Sequence, residues 1–328
     1  MVALQLIPFT GDVVALLAQL PPHAGIGQIV GPEGRSLTIG APANLRKWAA
    51  SNLGAGPPPA KGKRPRTDLT PVATAVAFVE TTSAFHQRLT YERLMAVHVP
   101  LSARRDLKPP VFLHLELTER FPRITLRRAE DGLASAFGPF RDRRAAEKAR
   151  AALHKLVPLR PCDYVFEPDP ALPLGLSCLY AQVRSCAAPC LARVTEAAYR
   201  DLARSAADLL ARPEGRPDEI AAILPVAVAS ARGRGLVIAA GEAGAELYPV
   251  QAGSVLEAAR AVVGKGGLHA AVGALAWDPP AAPGGDWPWL TAWLSSPRGR
   301  GSFLALGPEE GPAELLPRLR TRLGSGSA

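Results

Sequence analysis

Short apolar runs and longer amphipathic stretches follow one another along the chain, which is the pattern of mixed α and β structure. Apolar runs of strand length, bounded by turn-forming residues, predict strands at 25–30, 36–39, 72–79, 111–117, 123–128, 236–240, 246–250 and 302–306. Stretches rich in Ala, Leu and Arg predict helices at 12–20, 44–53, 83–98, 143–156, 196–211, 254–263 and 313–323. The sequence therefore predicts an α+β protein.

Two breaks in this pattern suggest a division into three domains. Gly54 to Arg66 is punctuated by Pro and Gly throughout, so it predicts a linker loop inside the first domain. Pro213 to Pro217 interrupts the chain after a helix and predicts a second boundary. We expect a first domain at 1–105, a second at 106–212 and a small C-terminal α+β domain at 213–328.

The charge balance favours an anionic partner. The chain has 38 Lys and Arg against 29 Asp and Glu, a net charge of +9. This indicates nucleic acid or an anionic surface, although an Arg-rich composition without such a partner gives the same count. No run reaches the ~18 apolar residues of a membrane span, and the N-terminus lacks the features of a signal peptide. We therefore expect a soluble, cytoplasmic protein with no membrane partner.

A basic cluster is the candidate phosphate-binding surface. Arg46 and Lys47 lie on a predicted helix, and the linker adds four more cations: Lys61, Lys63, Arg64 and Arg66. A mobile basic loop is suited to contact a phosphate backbone. A solvated linker without a partner remains the alternative.

All four cysteines fall in one short segment, at Cys162, Cys178, Cys186 and Cys190. In a cytosolic chain disulfides are rare, so the clustering needs another explanation. Four converging thiolates suit a tetrahedral zinc or a [4Fe–4S] cluster. The absence of the short pairs of zinc ribbons argues mildly against zinc, and four buried structural cysteines are a third possibility.

The residues around the cysteines resemble a known family. The relevant stretches are Phe137-Gly138-Pro139-Phe140, Leu159-Arg160-Pro161-Cys162, Cys178-Leu179-Tyr180 and Cys186-Ala187-Ala188-Pro189-Cys190. They are similar to the cysteine-rich module of the UvrC-type excinucleases, in which the first stretch forms a turn. The resemblance implies a helical module whose cysteines hold a [4Fe–4S] cluster, and it implies DNA and other repair proteins as partners.

The N-terminal part resembles the GIY-YIG nuclease domain of the same family. The matching stretches are Gly25-Ile26-Gly27, Thr38-Ile39-Gly40 and Asn44-Leu45-Arg46-Lys47. This resemblance implies a small α/β domain with a short, mainly antiparallel sheet. It also implies that Arg46 is the arginine that steadies phosphate charge in the transition state.

The departures from the nuclease pattern are chemically specific. Gly27 and Thr38 stand where the family has tyrosines, and Tyr91 stands where it has the metal-binding glutamate. Glu92 is one residue later, which turns a helical side chain by about 100°. Mg²⁺ or Mn²⁺ would be needed only if the nuclease chemistry were retained. The second nuclease domain of the longer relatives has no counterpart in residues 213–328.

The leading hypothesis is a DNA-binding protein related to nucleotide excision repair, similar to the N-terminal half of UvrC or to short Cho-like forms. Its GIY-YIG-like domain is expected to be a scaffold that has lost catalysis. One alternative is a structure-specific endonuclease with a rewired site. The other is a protein-interaction scaffold that does not bind DNA.

Overall fold

The protein is described by a computed structural model in two compact units, one of residues 1–106 with 239–246 and one of residues 107–238 with 247–328. The described residues are 3–57, 67–100, 103–104, 107, 111–128, 136–140, 142–173, 178–211, 234–264, 267–277, 285–294, 296, 298–299, 302–307 and 310–324. The predicted boundaries after residues 105 and 212 fall outside these ranges and stay predictions.

The first unit is built on a four-stranded antiparallel sheet in the order β1-β4-β2-β3. Its elements are β1 Gln5–Pro8, α1 Val13–Gln19, β2 Gly25–Val30, β3 Ser36–Gly40, α2 Leu45–Asn52, β4 Ala75–Glu80 and α3 Ala84–His98. Each helix starts at a polar cap, because the side chains of Asp12, Asn44 and Ser83 accept hydrogen bonds from backbone N–H groups of the first turn. These caps explain why the predicted starts were close to the observed ones.

Helices cover both faces of this sheet. On one face, α1 and α2 bury Leu16, Leu45 and Ala49 against Ile29 and Val76 of the central strands. The side chains of β2 alternate between faces, so Gln28 points the other way and its Nε2 lies 3.3 Å from Nε2 of His98 on α3. As a result, α2 and α3 lie on opposite sides of β2.

The first part of the second unit is a three-stranded antiparallel sheet in the order β6-β5-β7, packed against two long helices. Its elements are β5 Val111–Leu115, β6 Ile124–Arg128, β7 Ala136–Phe140, α4 Arg143–Leu156, α5 Leu179–Gln182 and α6 Glu196–Ala211. On α4 the buried positions are Ala146, Ala149 and Leu153, a helical spacing that faces the sheet. The bounds predicted for α4 and α6 are confirmed to the residue.

A second antiparallel sheet follows, with strand order β10-β9-β8-β12 and β11 paired to β9. Its elements are β8 Arg234–Gly241, β9 Gly244–Gln251, β10 Ser254–Val255, β11 Ala261–Val263, α7 Gly267–Gly273, α8 Trp287–Leu294, β12 Phe303–Leu306 and α9 Pro312–Gly324. The antiparallel sheets and helices of both units confirm the α+β class. Within the described ranges, no helix is both long and apolar enough to cross a membrane.

Two local predictions were wrong. The helix expected at 254–263 is replaced by β10, a short 3-10 turn and β11, because the chain turns back at Ala252 and Gly253 and pairs with β9. The stretch 137–140, expected to be a turn, belongs to β7 and pairs with β5 through an irregular register. In both places pairing with a distant strand outweighs the local preference.

Candidate functional site

Gly27 and Gly40, from the two GIY-YIG-like motifs, face each other across the β2–β3 pair. A Cβ built on Gly27 would lie 2.4 Å from Cζ3 of Trp48, and a Cβ on Gly40 would lie 2.4 Å from its Nε1. Side chains do not tolerate contacts this short, so the indole occupies the space directly over both glycines. Gly27, which the resemblance places where the family has a tyrosine, is therefore covered by a tryptophan from α2.

Trp48 reaches the glycines because of its position on α2. Leu45 and Ala49 anchor the helix in the core, and Trp48 lies beside them at the edge of the buried face. Thr38, which the resemblance places at the second tyrosine position, pairs with Ile29 and borders an open groove of about 780 Å³. The groove is lined by Leu37, Thr38, Ile39, Gly40, Ala41, Pro42, Trp48, Asn52, Thr67 and Leu69.

Arg46 lies on an exposed part of α2, and its Nε donates a hydrogen bond of 3.0 Å to the carbonyl oxygen of Leu20. The neighbouring Lys47 is also exposed. Both are therefore accessible to an anionic ligand, and their contact with DNA stays a prediction. The linker cations lie outside the described residues: Lys61, Lys63, Arg64 and Arg66.

Tyr91 and Glu92 lie on α3, on the opposite face of β2 from α2. Glu92 is buried and forms ion pairs with Arg88 and with Arg104, whose Nη1 lies 3.0 Å from Oε2 of the carboxylate. The guanidinium groups of these arginines also lie 5.9 Å from the centre of the Tyr91 ring. Sequence reasoning missed Arg104, whose distance from Glu92 along the chain gives no local signal of the pair.

The four cysteines lie between α4 and α6. Cys162 belongs to an irregular segment, Cys178 immediately precedes α5, and Cys186 and Cys190 are buried in the turns that follow. Three residues in these turns adopt left-handed backbone conformations without being glycine: Arg184, Ala188 and Ala192. Such conformations are unfavourable for residues with a Cβ and often occur at functional sites.

The thiols share one electrostatic environment. The pKa of Cys186 is raised to about 11, mainly by burial; the other three cysteines also raise it, and the N–H of Ala188 opposes the shift. The Ala188 N–H donates to Sγ of Cys186 over 3.3 Å. Burial likewise raises the pKa of Cys190, with contributions from Cys178 and Cys162.

This set of donors fits a soft metal in its chemistry, because thiolates close to one another repel and a bound cation relieves that repulsion. Among the described residues, however, no group of three or more His, Cys, Asp or Glu side chains is arranged closely enough to hold a metal ion. Metal binding would require the sulfur atoms to draw together.

Comparison with known proteins gives one consistent result. The sequence model for the middle domain of the UvrC/Cho excinucleases matches residues 111–209, which contain all four cysteines. The UvrABC system protein C of Alkalilimnicola ehrlichii is 26% identical over 215 residues, which is 65% of this chain and 34% of that protein. The protein of the same name from Geobacter metallireducens is 32% identical over 199 residues, 58% of this chain and 30% of that protein.

The chain thus spans about a third of the length of these curated relatives. No solved structure matches it significantly. The prediction of family, made from the residues around the cysteines, is confirmed: residues 111–209 match the middle domain of the UvrC/Cho excinucleases, and the relatives named above are UvrABC system C proteins.

Proposed function

We propose that this protein is a UvrC-like DNA-binding protein related to nucleotide excision repair, with a GIY-YIG-like domain that no longer cleaves DNA. The observation that carries the proposal is the packing of Trp48 over Gly27 and Gly40. Hydrolysis by the family's route needs a group that activates the nucleophile, a metal and a group that stabilises charge. Here the first position has no side chain, and the space beside it is filled.

The buried carboxylate on α3 supports the same proposal. Glu92 is paired with Arg88 and Arg104, so two cations already neutralise it. Binding Mg²⁺ there would require breaking a buried ion pair, which is costly when it leaves a charge uncompensated. Arg46 keeps a positive charge suited to hold a phosphate but lacks the partners for catalysis.

The test is incubation of the purified chain with Mg²⁺ or Mn²⁺ and nicked or flapped DNA. We expect no cleavage above that of an Arg46→Ala variant purified in the same way. Metal-dependent nicking that disappears in Arg46→Ala would support the rewired endonuclease and overturn the scaffold proposal.

For DNA binding we propose basic surfaces in both units. In the first unit these are Arg46, Lys47 and the cations of the 61–66 linker. In the second unit, the exposed face of α4 carries Arg144, Lys148 and Lys155. They recur on one side of the helix over about 16 Å, at 1.5 Å per residue. A regular row of cations on a rigid helix can follow a phosphate backbone.

The salt dependence of DNA affinity tests these surfaces. Each phosphate contact contributes about 0.9 to the log–log slope on duplex DNA. Replacing Lys61, Lys63, Arg64 and Arg66 with Gln should flatten the slope by about two to four units. The α4 triple variant of Arg144, Lys148 and Lys155 should flatten it by about two to three units if each cation contacts a phosphate.

The matched control removes three exposed cations from different parts of the chain: Arg35, Arg204 and Arg320. It changes the net charge as much as the α4 triple variant does, so it separates local contacts from a general charge effect. Equal slopes for these two variants would contradict a specific α4 surface. If the parent chain binds no DNA at low salt, the interaction-scaffold alternative is favoured.

We also propose that Cys162, Cys178, Cys186 and Cys190 hold one [4Fe–4S] cluster. The electrostatic coupling of the thiols and their buried turns support a shared ligand. Protein purified without oxygen should be brown and contain about four irons per chain. Stoichiometric zinc in colourless protein would replace the iron assignment with a zinc site, and absence of both metals would leave four structural cysteines.

A further inference from the structure

The segment that carries Cys162 is held by side-chain contacts in place of regular secondary structure. Between the end of α4 and residue 169, the chain forms neither helix nor strand. A backbone without a ladder of hydrogen bonds needs other partners for its buried polar groups. Those partners determine where the Cys162 thiol lies.

Arg160 supplies most of these contacts. Its Nε donates to the carbonyl oxygen of Phe121 over 2.9 Å, and its Nη1 donates to those of Tyr164 over 2.8 Å and Cys162 over 3.4 Å. The guanidinium also lies 5.4 Å from the centre of the Phe166 ring. One planar side chain therefore ties together the backbone on both sides of Cys162, which a lysine could not do with the same geometry.

Tyr199 of α6 fixes the backbone of Arg160. Its hydroxyl accepts a hydrogen bond of 2.7 Å from the Arg160 N–H and donates one of 3.0 Å to the carbonyl oxygen of Pro122. The side chain is fully buried, and burial raises the pKa of its phenol, so the hydroxyl remains a neutral donor. The hydroxyl thus connects the backbone of Arg160 to that of Pro122, next to the Phe121 carbonyl that the Arg160 side chain also contacts.

A second cation reaches the same cysteine. Nη1 of Arg123 lies 3.4 Å from the carbonyl oxygen of Cys162, so two guanidinium groups converge on this peptide group. Four thiolates around a dipositive metal or cluster leave a net negative charge. Cations held close by would offset part of that negative charge.

We propose that Arg160, held by Tyr199, is a positioning residue of the thiol site: it sets the backbone of Cys162 for metal binding and supplies a fixed positive charge beside it. This inference rests on the proposed metal site but concerns residues that are not ligands. Groups outside the ligand set that orient ligands typically change metal affinity by 10- to 100-fold when they are removed.

The experiment uses the full chain with reduced thiols under anaerobic conditions. Co²⁺ is the probe, because thiolate coordination gives it a visible absorption, and competition with a chelator gives the affinity. We expect Arg160→Gln to weaken Co²⁺ binding by about 10- to 100-fold. Tyr199→Phe should act in the same direction, since it removes both hydrogen bonds while keeping the ring.

Arg160→Lys separates position from charge. If the planar fork is required in addition to the charge, the lysine variant should recover only part of the Co²⁺ affinity that Arg160→Gln loses. Full rescue by lysine would overturn the positioning role and leave only an effect of charge. The matched control is Arg204→Gln, an exposed arginine of α6 paired with Asp201, which should bind Co²⁺ like the parent.

A second measurement, made without metal, distinguishes a local effect on Cys162 from general misfolding of a variant. In the metal-free chain, Arg160→Gln should speed the alkylation of Cys162 relative to Cys178, as measured by mass spectrometry, because its segment is less constrained. Unchanged alkylation together with parental Co²⁺ affinity would overturn this inference alone. A parent chain that binds neither cobalt, zinc nor iron would overturn the metal-site proposal and this inference with it.

Discussion

The packing of Trp48 against Gly27 can be tested by adding a single methyl group. In Gly27→Ala the new Cβ would lie 2.4 Å from Cζ3 of the indole and 2.7 Å from Cε3, well below real carbon–carbon contacts. Gly27 lies in a central strand, where alanine would otherwise be favoured by about 0.5–1 kcal/mol. Overpacking a filled site typically costs about 1–3 kcal/mol, so the net effect should be destabilising.

The assay is urea unfolding, followed by far-UV circular dichroism and by tryptophan fluorescence. Gly273→Ala is the control, because its Cβ would meet nothing within 4 Å and should change the stability by less than about 0.5 kcal/mol. In a Trp48→Leu background the smaller side chain makes room for the methyl group. The penalty of Gly27→Ala should then largely disappear, a coupling of about 1–3 kcal/mol.

Two results would refute this reasoning. If Gly27→Ala left the unfolding midpoint unchanged, the indole would not lie over the glycine. If the effects of Gly27→Ala and Trp48→Leu were additive, any destabilisation would have another origin. Either result would also remove the main support for the proposal that the nuclease activity is lost.

Three further predictions concern stability. Glu92→Gln should lower the free energy of unfolding, measured with urea, by about 3 kcal/mol, because the buried Arg104 loses its carboxylate partner. A loss below about 1 kcal/mol would mean that the ion pair is solvated. Burial, and secondarily Arg150, lowers the pKa of His154. The folded state therefore binds fewer protons than the unfolded state, and its stability should fall as the pH drops below about 6.5. His154→Gln should flatten the pH 5–7.5 profile of urea midpoints, and an unchanged profile would contradict this prediction. Ala252→Gly should raise the melting temperature, because the left-handed conformation costs alanine about 1 kcal/mol; a lower melting temperature would contradict this account.

Sequence patterns predicted those elements whose signals are local. Helices α4 and α6 were predicted to the residue, because an amphipathic spacing runs along their whole length. The predicted starts of α1, α2 and α3, at Asp12, Asn44 and Ser83, coincide with the residues that cap these helices in the structure. The clustering of the cysteines between α4 and α6 was also apparent from the sequence.

Features that depend on distant partners could not be predicted in this way. The run Leu256 to Ala261 has the composition of a helix, but pairing of the flanking residues with β9 gives strands. The ion pair of Glu92 with Arg104 joins a helix to a residue beyond its end. The contact of Trp48 with Gly27 and Gly40 depends on the strand register and on the orientation of α2 together.

The contact over the glycines has a consequence for catalysis. Restoring a tyrosine at Gly27 alone would force its Cβ and ring into the indole, so the change should destabilise the domain before it could activate water. Recovering that group requires a smaller residue at position 48 as well, and the metal site further requires a carboxylate that is not paired with Arg88 and Arg104. Two of the departures expected from the resemblance thus involve other contacts: Gly27 lies under the partly buried Trp48, and Glu92, the carboxylate next to Tyr91, forms buried ion pairs. A DNA-holding role needs none of these changes, since the exposed cations of α2 and α4 do not depend on them.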